Sequence, residues 1–157
     1  MQEEYLRLIA DDPKQFLRRN YKIEMRIKSK RDRIEHLQNI CQATTQEQLK
    51  SVVVYTGPSN KIERCMSEAI DLETEILREI AELKRVQRET AEAIQTLLDD
   101  ITLITLMEKR YMSDMRWEEI AVDMNYAYRW VMRLHVKALK QMKQSAKSRL
   151  KCSSTAL

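Results

Sequence analysis

The stretch at residues 115–142 reads MRWEEIAVDMNYAYRWVMRLHVKALKQM. It is rich in helix formers and holds neither Gly nor Pro, yet a single helical pattern does not fit it. Trp117, Ile120 and Ala121 share the inner side of a short segment, RWEEIAVDM. The pattern breaks at Asp123-Met124-Asn125-Tyr126. It resumes with Val131, Leu134, Ala138, Leu139 and Met142 at three-to-four spacing. A short helix, a tight break and a longer helix is helix-turn-helix logic. Such a turn needs one residue with a left-handed backbone. Asn125 stands at that point, and Asn tolerates the conformation best after Gly. Upstream, ITLITLMEKRYM at 101–112 reads as a further helix of the same block.

Charge marks the third helix of this block as unusual. Residues 126–151 contain eight Lys or Arg and no Asp or Glu. Tyr128, Arg129, Met132 and Arg133 fall opposite the apolar set, near the start of the helix, where recognition helices touch base edges. Arg129 and Arg133 are four residues apart and share a face, and Arg suits guanine through a bidentate contact. Lys137, Lys140, Lys143 and Lys147 lie further along and suit phosphates better than bases. The plainer alternative is a solvated basic helix with no nucleic-acid role.

The rest of the chain reads as long helices. Of 157 residues one is Gly, two are Pro, one is Phe and a third are charged, which argues against a sheet or sandwich. Asp12 and Pro13 can cap and open a helix. Phe16, Ile23, Ile27, Ile34, Leu37 and Cys41 then recur near heptad spacing, with Asn20 and Lys30 as polar interruptions. This predicts an N-terminal long helix within 1–42. A loop follows at 43–59, rich in Thr, Gly, Pro and Ser. Its apolar patch Val52-Val53-Val54-Tyr55 is either a short strand or a packed loop. Ser59 is a good cap for a second long helix over 60–98, with Ile62, Met66, Ala69, Ile76, Ile80, Leu83, Ile94 and Leu97 inward. Asp99-Asp100 ends that pattern. A helix-turn-helix domain is expected over 99–150 and a disordered tail over 151–157. The fold expected is all-α, with two long antiparallel coiled-coil-type helices before the C-terminal domain. Their charges are opposite: 14–35 carry a net +6 and 60–100 a net −5, which fits neutralisation across a shared seam.

These features exclude several function classes. A single glycine rules out Gly-rich phosphate loops. No catalytic cluster is visible, and Glu118 and Glu119 point about 100° apart, as first-turn acids favoured by the helix dipole. An enzyme is not expected, nor a cofactor. Cys41, Cys65 and Cys152 are far apart and form no CxxC, so reduced thiols are expected. A zinc site would have to join His36 or His135 to distant cysteines, without the usual ligand spacing. The acidic N-terminus has no apolar signal core and no apolar run approaches a membrane span, so a cytoplasmic chain with no membrane partner is expected.

The segment 106–142, LMEKRYMSDMRWEEIAVDMNYAYRWVMRLHVKALKQM, resembles region 4 of bacterial sigma-70-type factors. The matching elements are Arg110-Tyr111 at a helix end, Trp117-Glu118-Glu119-Ile120-Ala121, the turn at Met124-Asn125, and Lys137-Ala138-Leu139 with Met142. The loop Tyr55-Thr56-Gly57-Pro58-Ser59 followed by an acidic helix adds a likeness to the sigma-region-4-like regulators carried by prophages of Gram-positive bacteria, the group around an autolysin regulatory protein. The resemblance covers residues 50–150 and reaches the first helix only by character. It implies a sequence-specific DNA-binding transcription regulator, a phage-encoded activator or sigma-like accessory factor working with host RNA polymerase through the β-subunit flap. It implies a promoter-reading surface at Tyr128, Arg129, Trp130, Met132 and Arg133. Trp130 either faces DNA or packs on the neighbouring helices. Two positions depart from the family pattern. Arg116 stands where a capping Ser is common, and Ala127 where a Ser or Thr opens the recognition helix. No segment resembles the region that melts a promoter, so a complete initiator is not expected. Double-stranded DNA and a homodimer are the expected partners. The alternatives are an oligomeric DNA-binding adaptor or structural phage protein, for example a packaging component, and a coiled-coil protein whose C-terminal block binds only protein.

Overall fold

The computed structural model describes residues 3–50 and 60–155. All regular structure among them is helical: α1 (Glu3–Asp11), α2 (Pro13–Leu17), α3 (Arg19–Lys50), α4 (Asn60–Leu97), α5 (Ile101–Tyr111), α6 (Trp117–Asp123) and α7 (Tyr128–Thr155). None of them is long and apolar enough to cross a membrane. The patch 52–55 and the cap position Ser59 lie outside the described residues.

The N-terminal region is three helices, not one. Asp12 ends α1 and caps α2, its carboxylate accepting from the N–H groups of Lys14 at 3.0 Å and Gln15 at 3.1 Å. Pro13 occupies the first turn, where a missing N–H costs nothing. The heptad spacing from Phe16 onward hides this break, because Phe16 belongs to α2 and the later apolar residues to α3. At its other end α3 continues through Ala43-Thr44-Thr45 to Lys50, where the sequence suggested a loop from 43. The Thr44 and Thr45 hydroxyls donate to the carbonyls four residues back, Ile40 and Cys41, so these threonines satisfy themselves inside the helix. Likewise α7 runs to Thr155, past the tail expected from 151.

The chain divides into two units, Met1–Lys22 with Lys84–Leu157, and Ile23–Leu83. The second is built from most of α3 and the first two-thirds of α4. Its ion pairs run Arg26 to Glu79 and Glu82, Lys30 to Glu75 and Glu79, and Arg33 to Glu68. Rising numbers on α3 meet falling numbers on α4, so the helices are antiparallel. Lys30 and Glu75, 2.8 Å apart, each favour the charged form of the other: the lysine is raised and the carboxyl lowered. Opposite charges therefore meet as the block charges suggested. The register differs in one place. Cys65 is buried and Met66 is exposed, the reverse of the expected inward set.

The first unit holds the larger core. Ile94, Leu97, Leu103, Leu106, Met107, Ile120, Val131, Ala138 and Met142 are buried together. Leu6, Ile9, Phe16 and Leu17 join them, so α1 and α2 are part of the C-terminal domain rather than of a separate long helix. Asn20, expected as a polar interruption in a seam, is buried here and donates to the Tyr111 carbonyl at 3.3 Å, at the end of α5. A buried charge node ties the N-terminal segment to α4. Glu89 accepts from the Tyr5 hydroxyl at 2.5 Å and pairs with Arg85 at 2.7 Å and Arg19 at 3.1 Å. The Arg19 guanidinium also sits 3.9 Å over the Phe16 ring, which covers the part of the cation that burial takes from water.

Candidate nucleic-acid interface

The turn between α6 and α7 fixes the direction of α7. The left-handed residue is Asn125, with φ 54°. The Tyr126 N–H donates to Ala121 at 2.9 Å and the Asn125 N–H to Val122 at 3.1 Å. This six-to-one and five-to-two pair of bonds is a Schellman closure, which satisfies the last carbonyls of a helix through a left-handed residue. At the other end of α6 Arg116 supplies no side-chain cap, since a guanidinium has no acceptor. Glu119 compensates in part by accepting from the Arg116 N–H at 2.8 Å. Lys109 pairs with Asp123 at 2.6 Å, linking α5 to the end of α6.

A ring cluster sits where α5, α6 and α7 meet. The Tyr111 hydroxyl and His135 Nε2 are 2.8 Å apart, the Trp117 ring lies 4.6 Å from the His135 ring, and Arg110 caps Trp117 at 4.8 Å. Burial pushes Tyr111 up to about 12. Burial, with Lys14 and Arg110 adding positive charge, holds His135 down at about 4. His135 is therefore neutral at pH 7, and the Tyr111 hydroxyl is a proton donor available to it. The Arg110 guanidinium also donates to the Met115 carbonyl at 2.8 Å, across the second left-handed residue, Asp114 with φ 50°. Trp117 inward and Arg110-Tyr111 at a helix end are as expected from the sequence. His135, the residue at their centre, was not identified; its position between Leu134 and Ala138 on the apolar side was the available signal.

α7 is 28 residues long, about 42 Å. Val131, Leu134, His135, Ala138, Met142 and Ala146 are buried along one side. Arg129, Arg133, Lys137, Lys140 and Lys147 are exposed, and at 100° per residue they cluster opposite that side. Arg129 and Arg133 stand in the first two turns. Tyr128 and Trp130 are close to half exposed, at 46% and 47%, and flank them. Met132 is only partly exposed and lies toward the buried side. Ala127 begins the helix through its carbonyl, which accepts from Trp130 and Val131, with no side chain to cap the first N–H groups. Val122, which no sequence pattern marks, and Tyr126 are exposed beside the same turn.

Lys143 does not belong with the exposed cations. Its ammonium donates to the Asp11 carbonyl at 2.7 Å, at the C-terminal end of α1. A cation there satisfies an orphan carbonyl and meets the negative end of the helix dipole. Arg149 does the same for the Thr96 carbonyl near the end of α4, at 2.7 Å. Sequence spacing could not separate Lys143 from the stripe, because α1 comes alongside only in the folded unit. Among the described residues no group of His, Cys, Asp and Glu is arranged to hold a metal ion. Comparison with protein-family models, with curated proteins and with solved structures finds no match for this chain.

Proposed function

We propose that the chain is a sequence-specific, double-stranded-DNA-binding transcription regulator in which α6, the Asn125 turn and α7 act as a helix-turn-helix. The observation that carries this reading is the exposed stripe Arg129, Arg133, Lys137, Lys140 and Lys147, opposite a continuous buried face, on a segment with no Asp or Glu from 126 to 151. A helix whose charged residues are all cations over five turns is suited to a polyanion. Its start suits base reading. Arg129 and Arg133 lie one turn apart on one face, and each can give the two parallel hydrogen bonds that guanine O6 and N7 accept. Tyr128 and Trp130 offer half-exposed rings for base methyl or sugar contacts. Lys137, Lys140 and Lys147 neutralise phosphates further along. The paired α3 and α4 supply an arm of antiparallel coiled-coil type.

The resemblance of 106–142 to sigma region 4 supports a narrower reading: a phage-encoded activator or accessory factor that binds promoter DNA and works with host RNA polymerase. Selection of bound sequences from random duplex DNA, followed by transcription from promoters that carry the selected site, tests both levels. Enrichment of one motif and a polymerase-dependent change in transcript are expected. Binding without a motif would reduce the chain to a general DNA adaptor, and no binding would remove the proposal.

A further inference from the structure

Independent of any nucleic acid, we infer that two copies of this chain pair antiparallel through α4, along the stripe Met66, Ile70, Leu77 and Ala81. Met66, Ile70 and Leu77 are 57%, 60% and 68% exposed, and Ala81 is exposed with them. The spacing is four, seven, four. On a helix these steps keep all four residues within one narrow sector. The spacing also reads the same in both directions, which is what a two-fold axis across the helix requires. An antiparallel second copy puts Ile70 opposite the other copy's Leu77, and Met66 opposite its Ala81. The axis then passes between Glu73 and Thr74.

The unit that carries the stripe has reason to need cover. Its buried apolar side chains among the described residues are Ile23, Ile27, Leu37, Cys65 and Ile76, the thin seam of a two-helix hairpin. A groove lined by Ile34, Ile76 and Leu77, with Arg31, Glu35, Gln38 and Glu73 at its edges, runs beside the stripe, so a second α4 finds apolar surface on its flank as well. Charge fits the same arrangement. The pairs Lys30–Glu75 and Arg33–Glu68 bracket Arg31 at the level of Glu73. Each copy therefore brings the Arg31 cation with the Glu35 and Glu73 carboxylates to the groove beside the axis, and Arg31 of one copy meets a carboxylate of the other. A partner of one charge sign would not match this alternation, and a second copy does.

The test is sedimentation of the full chain at micromolar concentration. The wild type should be a dimer. Because Ile70 and Leu77 face outward in the single chain, Ile70→Lys with Leu77→Lys should leave the helical signal unchanged while weakening the dimer at least a hundredfold, and should remove the concentration dependence of melting that a dimer confers. Ile70→Lys with Leu77→Glu should dimerise at least tenfold more tightly than the double-lysine variant, since the ammonium introduced at position 70 of each copy then meets the carboxylate introduced at position 77 of the other. A parallel pair would set lysine against lysine and gain nothing. A monomeric wild type, a double-lysine variant that still dimerises as the wild type does, or a lysine–glutamate variant no tighter than the double-lysine one would each overturn the inference.

Discussion

Lowering the pH from 7 to 5 should destabilise the first unit through His135. The imidazole is 5% exposed, and burial, aided by Lys14 and Arg110, takes it from its ordinary 6.5 down to about 4. The unfolded chain therefore binds a proton at a pH where the folded chain refuses it. A base with a lowered folded pKa contributes stability above its unfolded value and loses it as the pH falls toward the folded one. A tenfold change in proton affinity is about 1.4 kcal/mol, so the drop to about 4 is worth roughly 3 kcal/mol once both states are protonated. At pH 5 roughly 2 kcal/mol of that is already lost, by the same linkage. Trp117, whose ring lies 4.6 Å from His135, and Trp130 both belong to this unit, so tryptophan fluorescence in urea follows it alone. His135→Gln keeps an acceptor for the Tyr111 hydroxyl and removes the titration. The wild type should lose about 2 kcal/mol more than the variant between pH 7 and 5. Equal losses in the two proteins would show that His135 titrates normally and that the ring cluster is not closed to water.

Other outcomes follow from the same geometry. Asn125→Ala should cost about 1–2 kcal/mol, because a Cβ-bearing residue without a local hydrogen bond is forced to φ 54°, whereas Asn125→Gly should stay near neutral in the same urea titration. Ile9→Ala, at a position with 0% exposure, should destabilise the first unit by about 2–5 kcal/mol; no effect would mean that α1 is an appendage and not part of this core. Lys143→Met should cost about 0.5–1 kcal/mol for the lost contact at the end of α1, and should leave the salt dependence of DNA binding unchanged.

The legible parts of this fold are local. Asn125 and the Asp12-Pro13 start are each set by a few adjacent residues, and the sequence carries them openly; Asp100, read only as the end of a pattern, proves to cap α5, its side chain accepting from Thr102 at 2.9 Å. The alternating block charges also announced the α3–α4 pairing. The unreadable parts are tertiary. Leu6 and Ile9 are too few to signal a helix that docks on α7, and the spacing from Phe16 onward continues smoothly across a real break. The node of Glu89 with Tyr5 and Arg19 joins residues 70 or more positions apart, and such pairs leave no periodic trace. Lys143 shows the consequence for the candidate interface: in the sequence it is one more cation on a basic helix, and in the fold it is a cap.

DNA reading by α7 is measured as affinity for a selected duplex site and for scrambled duplex, across a series of salt concentrations, with Arg133→Ala and Lys140→Ala beside the wild type. Arg133→Ala should weaken the selected site by about 1–3 kcal/mol, with little change on scrambled DNA and relaxed preference at one base position. Lys140→Ala should weaken both duplexes alike and lower the salt slope by about one. If neither substitution changes binding to either duplex, the basic face of α7 is a solvated surface and the DNA-binding account is wrong.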